Sequence, residues 1–368
     1  MRLIDEQALA DITFGSTILG SGGGGDPYVG MLLVRDAIRR RGAIQMVDVD
    51  EVPDDANVVF IAGIGAPGVI IEKLPRAVEY ERVLRDLERF TGMRFDYVCP
   101  SEAGGFNAVT PFATASAVGV PVIDADGMGR AFPSLELVTP TLYGASATPM
   151  VMIDEHDNTM FLESESNAWA EDYARAAVVA SGANGVMAVY PMTGAQAKEW
   201  LVRGTVTAAE ELGRAVREAR AAHTSPVEAV LSAHGGVLLF TGKIDAVKRE
   251  NTRGWTIGEA ELVGLDGDEG SRFTLMFQNE NLAAMRDGHF VATTPDLIMM
   301  LDLDSGEPIP TERIRYGYRV AIIGLPADAR WRTERGLRVA GPRRFGYEVD
   351  YRPVENARSS LKWAPSQT

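Results

Sequence analysis

Phe95-Asp96-Tyr97-Val98-Cys99-Pro100-Ser101-Glu102-Ala103-Gly104-Gly105-Phe106-Asn107 is the stretch on which the fold turns. Phe95 to Cys99 reads as an apolar strand, and Pro100 to Asn107 as a glycine-bearing loop. A helix is expected over Val109 to Val118 and another strand over Val120 to Asp124. Upstream, strands are expected near Ile44 to Val49 and Val58 to Gly63, with a charged helix from about Pro75 to Phe90. Strand, helix, strand, helix, strand is the order of an open, mainly parallel α/β sheet.

Three loops leave strand ends in this reading: Gly63 to Gly68, Pro100 to Asn107, and Asp124-Ala125-Asp126-Gly127-Met128-Gly129-Arg130-Ala131-Phe132-Pro133. Ligands of open α/β sheets bind beyond the carboxyl ends of the strands, so these loops are placed to share one site. Glu102 sits where a carboxylate can face a ligand, and Asn107 adds a donor and an acceptor. Asp124 and Asp126 share a face if the strand persists, and paired carboxylates can bind a divalent metal or divide acid and base roles. Asp-Gly turns also use aspartate merely to bond nearby backbone. Arg130 can pair with one of these acids or orient an anionic substrate.

Before the first strand, Asp5 to about Thr17 has the spacing of a short amphipathic helix, and a second helix is expected from Pro27 to about Arg41. Between them runs Leu19-Gly20-Ser21-Gly22-Gly23-Gly24-Gly25-Asp26-Pro27. Gly22, Gly23 and Gly24 with Asp26 can cradle an anion at a helix N-terminus, or can form a tight helix-to-helix corner with Asp26 as the cap. No Gly-Lys-Ser/Thr follows, so this is not a P-loop, and a helix precedes it where a dinucleotide fingerprint needs a strand. The sequence therefore offers no support for nicotinamide or flavin.

Past Pro149, a hairpin is expected from Met150-Ile153 to Thr159-Leu162. Helices follow over Ser166 to Ser181 and Thr193 to Ala222, the second broken near Gly204. From Val227 the apolar runs at Val237-Phe240, Phe273-Phe277, Leu297-Leu301 and Arg319-Ile323 read as strands between Gly, Asp and Pro turns. The expected organisation is an α/β domain over 1–165, a helical segment over 166–226, a β-rich domain over 227–353 and a tail over 354–368. In the β-rich part, Gln278-Asn279-Glu280-Asn281 concentrates amides and carboxylate, so Asn279 and Asn281 are candidate substrate contacts or members of a polar turn.

At 368 residues the chain is long enough for about two domains. Lys and Arg total 36 against 51 Asp and Glu, and the resulting net charge of -15 argues against a nucleic-acid partner. A composition of 46% hydrophobic and 24% charged residues is that of an ordinary globular protein. Ala103 to Ile123 carries no charge, but its prolines and glycines make it a buried core segment instead of a membrane span. One cysteine, Cys99, forbids an internal disulfide and reads as packing more readily than as a nucleophile. With no signal-peptide pattern in Met1 to Glu6, a cytoplasmic location is expected. The four histidines have no zinc-ligand spacing, and no Gly-x-Ser-x-Gly elbow is present. A homo-oligomer is expected on general grounds.

Taken together, the Gly20 to Asp26 loop, Pro100 to Gly105, Asp124 to Pro133 and Phe277 to Asn281 resemble a bacterial and archaeal family associated with S-methyl-thiohydantoin desulfurase. The resemblance spans nearly the whole chain, and Asp124 to Pro133 is its most distinctive part. It implies a small cyclic substrate, a five-membered cyclic amide or thiohydantoin, and hydrolysis with release of methanethiol. It also implies association with hydantoinase or oxoprolinase-type subunits. On chemical grounds Glu102 or Asp124 would activate water, directly or through a divalent metal, and Asp126 would orient it. Asn107 and the backbone of Gly104-Gly105 or Gly22 to Gly25 would hold the ring, with Arg130 on a substrate carboxylate. Two alternatives stand beside this: a non-catalytic or regulatory subunit of a hydantoinase-like assembly, and a nucleotide-dependent cyclic-amide enzyme using the glycine loop.

Overall fold

The computed structural model describes residues 1–65, 69, 75–252 and 255–357. The chain divides into two units, Met1–Gly213 and Arg214 onward. The first is an α/β unit, and its sheet is ordered β1 (Arg2–Ile4), β2 (Ile44–Asp48), β5 (Val122–Asp126), β4 (Tyr97–Pro100), β3 (Asn57–Gly65), β8 (Asn184–Thr193), β6 (Met150–Ile153), β7 (Thr159–Leu162). The four central strands β2, β5, β4 and β3 are mutually parallel, as their sequence order implied. Antiparallel strands extend this centre on both sides, β1 against β2 and β8 against β3, and β9 (Val202–Arg203) pairs with the end of β5. Every residue of β5 is buried, as expected of a parallel strand covered on both faces.

The helices follow their local chemistry. Helix α1 (Glu6–Leu19) is capped by Asp5, which accepts from the Ala8 N-H at 2.9 Å. Helix α2 (Pro27–Arg41) begins with proline behind an Asp26 cap. Helix α3 (Ala77–Thr91) buries Tyr80, Val83, Leu84 and Leu87 and stops at Gly92 in the left-handed region. Helix α4 (Gly105–Val118) joins β4 to β5, and α5 (Asn167–Ala180) follows the β6-β7 hairpin.

The segment expected to be helical over 166–226 is not wholly so. It contains β8, which completes the first unit's sheet beside β3. The expected helix over Thr193 to Ala222 resolves into α6 (Gly194–Trp200), the short β9 and α7 (Thr205–Ala221), with Gly204 at φ 69° between the last two.

In the second unit, helix α8 (Pro226–His234) precedes one antiparallel sheet. Its order is β14 (His289–Thr293), β13 (Glu280–Arg286), β12 (Arg272–Gln278), β11 (Trp255–Gly264), β10 (Val237–Thr252), β16 (Arg319–Leu325), β15 (Leu297–Asp302). Alternation is plain in β12, where Phe273, Leu275 and Phe277 are buried and their neighbours are not. Phe240 and Phe273 stack with centroids 4.9 Å apart in a core shared with Leu262, Ile298, Met300 and Ile322. Removing one such aromatic ring costs about 3–5 kcal/mol. A short helix α9 (Glu334–Ala340) follows the sheet. Val354 and Ala357, within the segment expected to be a tail, pack into this core. Positions 358–368 lie outside the described residues.

Candidate functional site

The carboxyl ends of β4 and β5 lie one strand apart and are stitched together by backbone. The Gly127 N-H donates to the Ser101 carbonyl at 3.1 Å, and the Ala103 N-H donates to the Arg130 carbonyl at 3.1 Å. These bonds turn Glu102 and Asp126 inward, where they are 5% and 0% exposed. Both line one cleft with Ile12 of α1, Ala108 of α4, and Thr205, Val206 and Ala209 of α7. The lining packs so closely that it leaves no room for a water molecule. Strand β9 brings α7 here, since Val202 pairs with Asp126 and the helix starts three residues later at Thr205.

Glu102 is pushed up to about 7, chiefly because burial penalises its charge. Three groups oppose that: the Asn107 amide, which donates to Oε1 at 2.6 Å, the Phe132 N-H, and the nearby Arg130 guanidinium. Asp126 is pushed up to about 8, again chiefly by burial, with the Glu102 charge adding to it. N-H groups of Met128 and Gly129 donate to Asp126 Oδ2 at 2.9 and 2.8 Å and favour the charged form. The Thr205 hydroxyl acts in the same direction from beside it without making a full hydrogen bond. Two buried carboxyl groups that titrate around neutrality and repel each other can hold one proton between them, the arrangement acid and base catalysis uses.

Asn107 does more than its loop position suggested. Its Oδ1 accepts from the Gly63 N-H at 2.7 Å, which fixes the amide and aims Nδ2 at both the Gly63 carbonyl and Glu102. It thereby ties the end of β3 to the carboxyl pair. Ala66 to Gly68 of the β3 loop lie outside the described residues. Arg130 is fully buried, with its guanidinium 4.5 Å from the Phe132 ring and Nε donating to the Ala131 carbonyl at 2.9 Å. It serves the interior of the loop, beside Glu102.

Asp124 is separated from this pair. It accepts from the Thr207 N-H at 3.0 Å and from the Thr207 hydroxyl, so it caps α7 from outside the helix. It lines a different cavity, of about 250 Å³, with Arg2, Met46 and Asp48. Both Asp124 oxygens accept from the first turn of α7, and the side chain faces this other cavity instead of joining Glu102 and Asp126.

The glycine loop is built for contact between backbones. A Cβ on Gly24 would come 2.4 Å from the Gly104 carbonyl carbon, and one on Gly104 would come 2.7 Å from Ala131 Cβ. Carbonyls of Gly24 and Gly25 accept from the Asn107 and Phe106 N-H groups at 3.2 and 3.4 Å, closing the N-terminus of α4. At the other helix start, Asp26 accepts from Tyr28 and Val29 at 2.9 and 3.3 Å. Both helix N-termini that could have held an anion are thus filled by the chain itself, with Gly22 and Gly23 in the corner that makes this possible.

In the second unit, Asn279 stands at φ 56° and exchanges bonds with Thr256, its Oδ1 accepting from the Thr256 N-H at 2.8 Å. Asn281 is fully buried and donates to the Ile298 carbonyl at 2.8 Å. Each shapes the turn and packing of β12 and β13. Cys99 is buried and donates to the Ala125 carbonyl at 3.1 Å. Among the described residues, no three His, Cys, Asp or Glu side chains are grouped to hold a metal ion. Sequence reading missed Thr205, Val206 and Ala209, whose only signal was the glycine break at Gly204.

Models of the S-Me-THD-like N-terminal and C-terminal domains match residues 7–164 and 165–354. The chain belongs to the S-Me-THD-like family. Membership is consistent with a thiohydantoin-related role. An X-ray structure of a protein from Chromobacterium violaceum is 27% identical to this S-Me-THD-like chain, with a TM-score of 0.76. The likeness covers 96% of this chain and 100% of that one. No curated protein matches the chain. Among the described residues, no helix is long and apolar enough to cross a membrane.

Proposed function

We propose that this protein is a hydrolase of small S-methylated thiohydantoin rings that releases methanethiol, with Glu102 as general base and Asp126 as general acid. The observation that carries this reading is the buried Glu102 and Asp126 pair at the ends of adjacent parallel strands. Glu102 titrates lower and faces the Arg130 charge and the Asn107 amide, so it is the member that loses its proton first. Ionised Glu102 takes a proton from water as the oxygen adds to the amidine-like ring carbon. Asp126 gives its proton to sulfur as the carbon-sulfur bond breaks and methanethiol leaves. Water's oxygen becomes the ring carbonyl as the hydroxyl proton of the adduct passes to the ring nitrogen, and the proton taken up by Glu102 returns to Asp126, which resets the pair after the thiol has left. Because the cleft as described has no room for water, turnover in this reading includes an opening between α1 and the start of α7.

Methanethiol release from a panel of S-methylated thiohydantoins tests the proposal, with unmethylated thiohydantoins, hydantoins and 5-oxoproline alongside and divalent metals added back. Release by the wild type and its loss in Glu102→Gln is the expected result. Unchanged turnover in that variant removes Glu102 from the mechanism. The closed cleft favours one second reading, a non-catalytic subunit of a hydantoinase-like assembly, and a silent panel from folded protein selects it.

A further inference from the structure

Within the second unit, a cavity of about 610 Å³ lies between strand β14 and the segment 349–357. Strand β14 ends its sheet, and among the described residues it pairs with β13 alone. Phe290, Val291, Pro353 and Ala357 give the cavity apolar walls, and Tyr347 packs edge-on against Phe290 with centroids 6.3 Å apart. Its volume lies within the range of sites that take small molecules.

Its charged groups are unevenly committed. Asp350 is held by Arg343, whose Nε and Nη2 donate to Oδ1 at 3.1 and 3.0 Å. The side chains of Arg352 and His289 line the same cavity and have no hydrogen-bond or ion-pair partner among the described residues. Thr293 also lines it, is 4% exposed, and its buried hydroxyl makes no hydrogen bond there. Buried hydroxyls without a partner are uncommon in native proteins and call for an explanation.

Arg352 is also held in place from both sides. The Tyr351 hydroxyl donates to Asp296 Oδ2 at 3.0 Å, and the Val354 N-H donates to the same oxygen at 2.8 Å. The backbone carrying the guanidinium is therefore anchored before any ligand arrives, which lowers the entropy lost on binding. A planar guanidinium beside an apolar wall suits a carboxylate carried on an apolar body. The net charge of -15 disfavours a polyanion as the occupant.

We propose that this cavity is a second ligand site, independent of the carboxyl pair of the first unit, which takes a small monocarboxylate with an apolar body on Arg352. Isothermal calorimetry on the full chain tests it with 3-phenylpropionate and its neutral analogue 3-phenylpropionamide as probes. The carboxylate should bind once per chain and the amide about tenfold more weakly or worse, the loss expected for one charge-assisted contact. In Arg352→Gln the two probes should bind alike and weakly. Arg352 is exposed and its side chain has no partner among the described residues, so this variant is expected to fold as the wild type does. Absence of carboxylate binding, equal binding of the two probes by the wild type, or a carboxylate preference that survives in Arg352→Gln would each overturn the proposal.

Discussion

Each unit buries a carboxyl group completely, and the two are treated in opposite ways. Asp296 of the second unit is ringed by donors: Arg332 Nε and Nη2 at 3.1 and 2.6 Å, the Ala327 and Val354 N-H groups at 2.9 and 2.8 Å, and the Tyr351 hydroxyl. Burial, and then the Asp296 charge, push the Tyr351 phenol up, which keeps it a donor. Asp126 of the first unit has backbone N-H groups but, among the described residues, no cation bound to it, and a second carboxyl group as its neighbour. The difference teaches what each is for. Asp296, with its full set of donors, holds the segment at Tyr351 and Val354 down, whereas in the proposed mechanism Asp126, raised by burial, keeps a proton that can be moved.

If that contrast is right, the largest effect belongs to Glu102→Gln and Asp126→Asn, each lowering methanethiol release by about 10²- to 10⁴-fold. Thermal melts of both variants should stay at or above the wild-type midpoint, because a buried ionisable group has been replaced by a neutral one of the same shape. A large loss of stability in either would make the pair structural and erase the distinction from Asp296. Next in size, Asp296→Ala should cost about 1–3 kcal/mol in urea unfolding, since the Ala327 and Val354 N-H groups and the Tyr351 hydroxyl lose their acceptor while Arg332 keeps its pair with Glu355. Methanethiol release by the fraction that remains folded should be unchanged.

The pH dependence of stability separates the two regions further. Carboxyl groups raised to about 7 and 8 in the folded chain bind more protons there than in the unfolded chain between pH 4 and 8. Their contribution to stability is therefore fully present below about pH 4 and is lost as the pH rises through 7 and 8. Urea midpoints of the wild type should fall over that window relative to a Glu102→Gln, Asp126→Asn double variant, in which this component is absent. Turnover should follow a narrow bell with limbs near 7 and 8, rising as Glu102 ionises and falling as Asp126 loses its proton. The smallest effect is expected at Asp124, where replacement by alanine should remove a cap worth about 1 kcal/mol with little change in turnover.

Much of the architecture was legible because its signals are local. Asp26-Pro27 announces the start of α2, and buried runs such as Val58 to Ala62 announce parallel strands between helices. Strand β8 escaped notice for reasons that are also local. Pro191 lies within it, and Tyr190 stands at φ 56° where the pairing with β3 shifts register, so the stretch is a bulged strand with a broken alternation. At the site, Glu102 and Asp126 could be named from their place at strand ends. What separated Asp126 from Asp124 could not, because that depends on α7 arriving from far along the chain to place Thr205 beside one and Thr207 on the other.

The contact between Gly20, Gly24 and Gly104 has a consequence for how this sequence can vary. An ordinary packing error in a core is repaired by enlarging one residue and shrinking its neighbour. Here both faces are already at the smallest residue there is, and a Cβ on Gly24 would stand 2.4 and 2.5 Å from the carbonyl carbon and oxygen of Gly104, backbone atoms that no substitution removes. No compensating change exists on either side. The joint behind Glu102 can be inherited or lost, but it cannot drift.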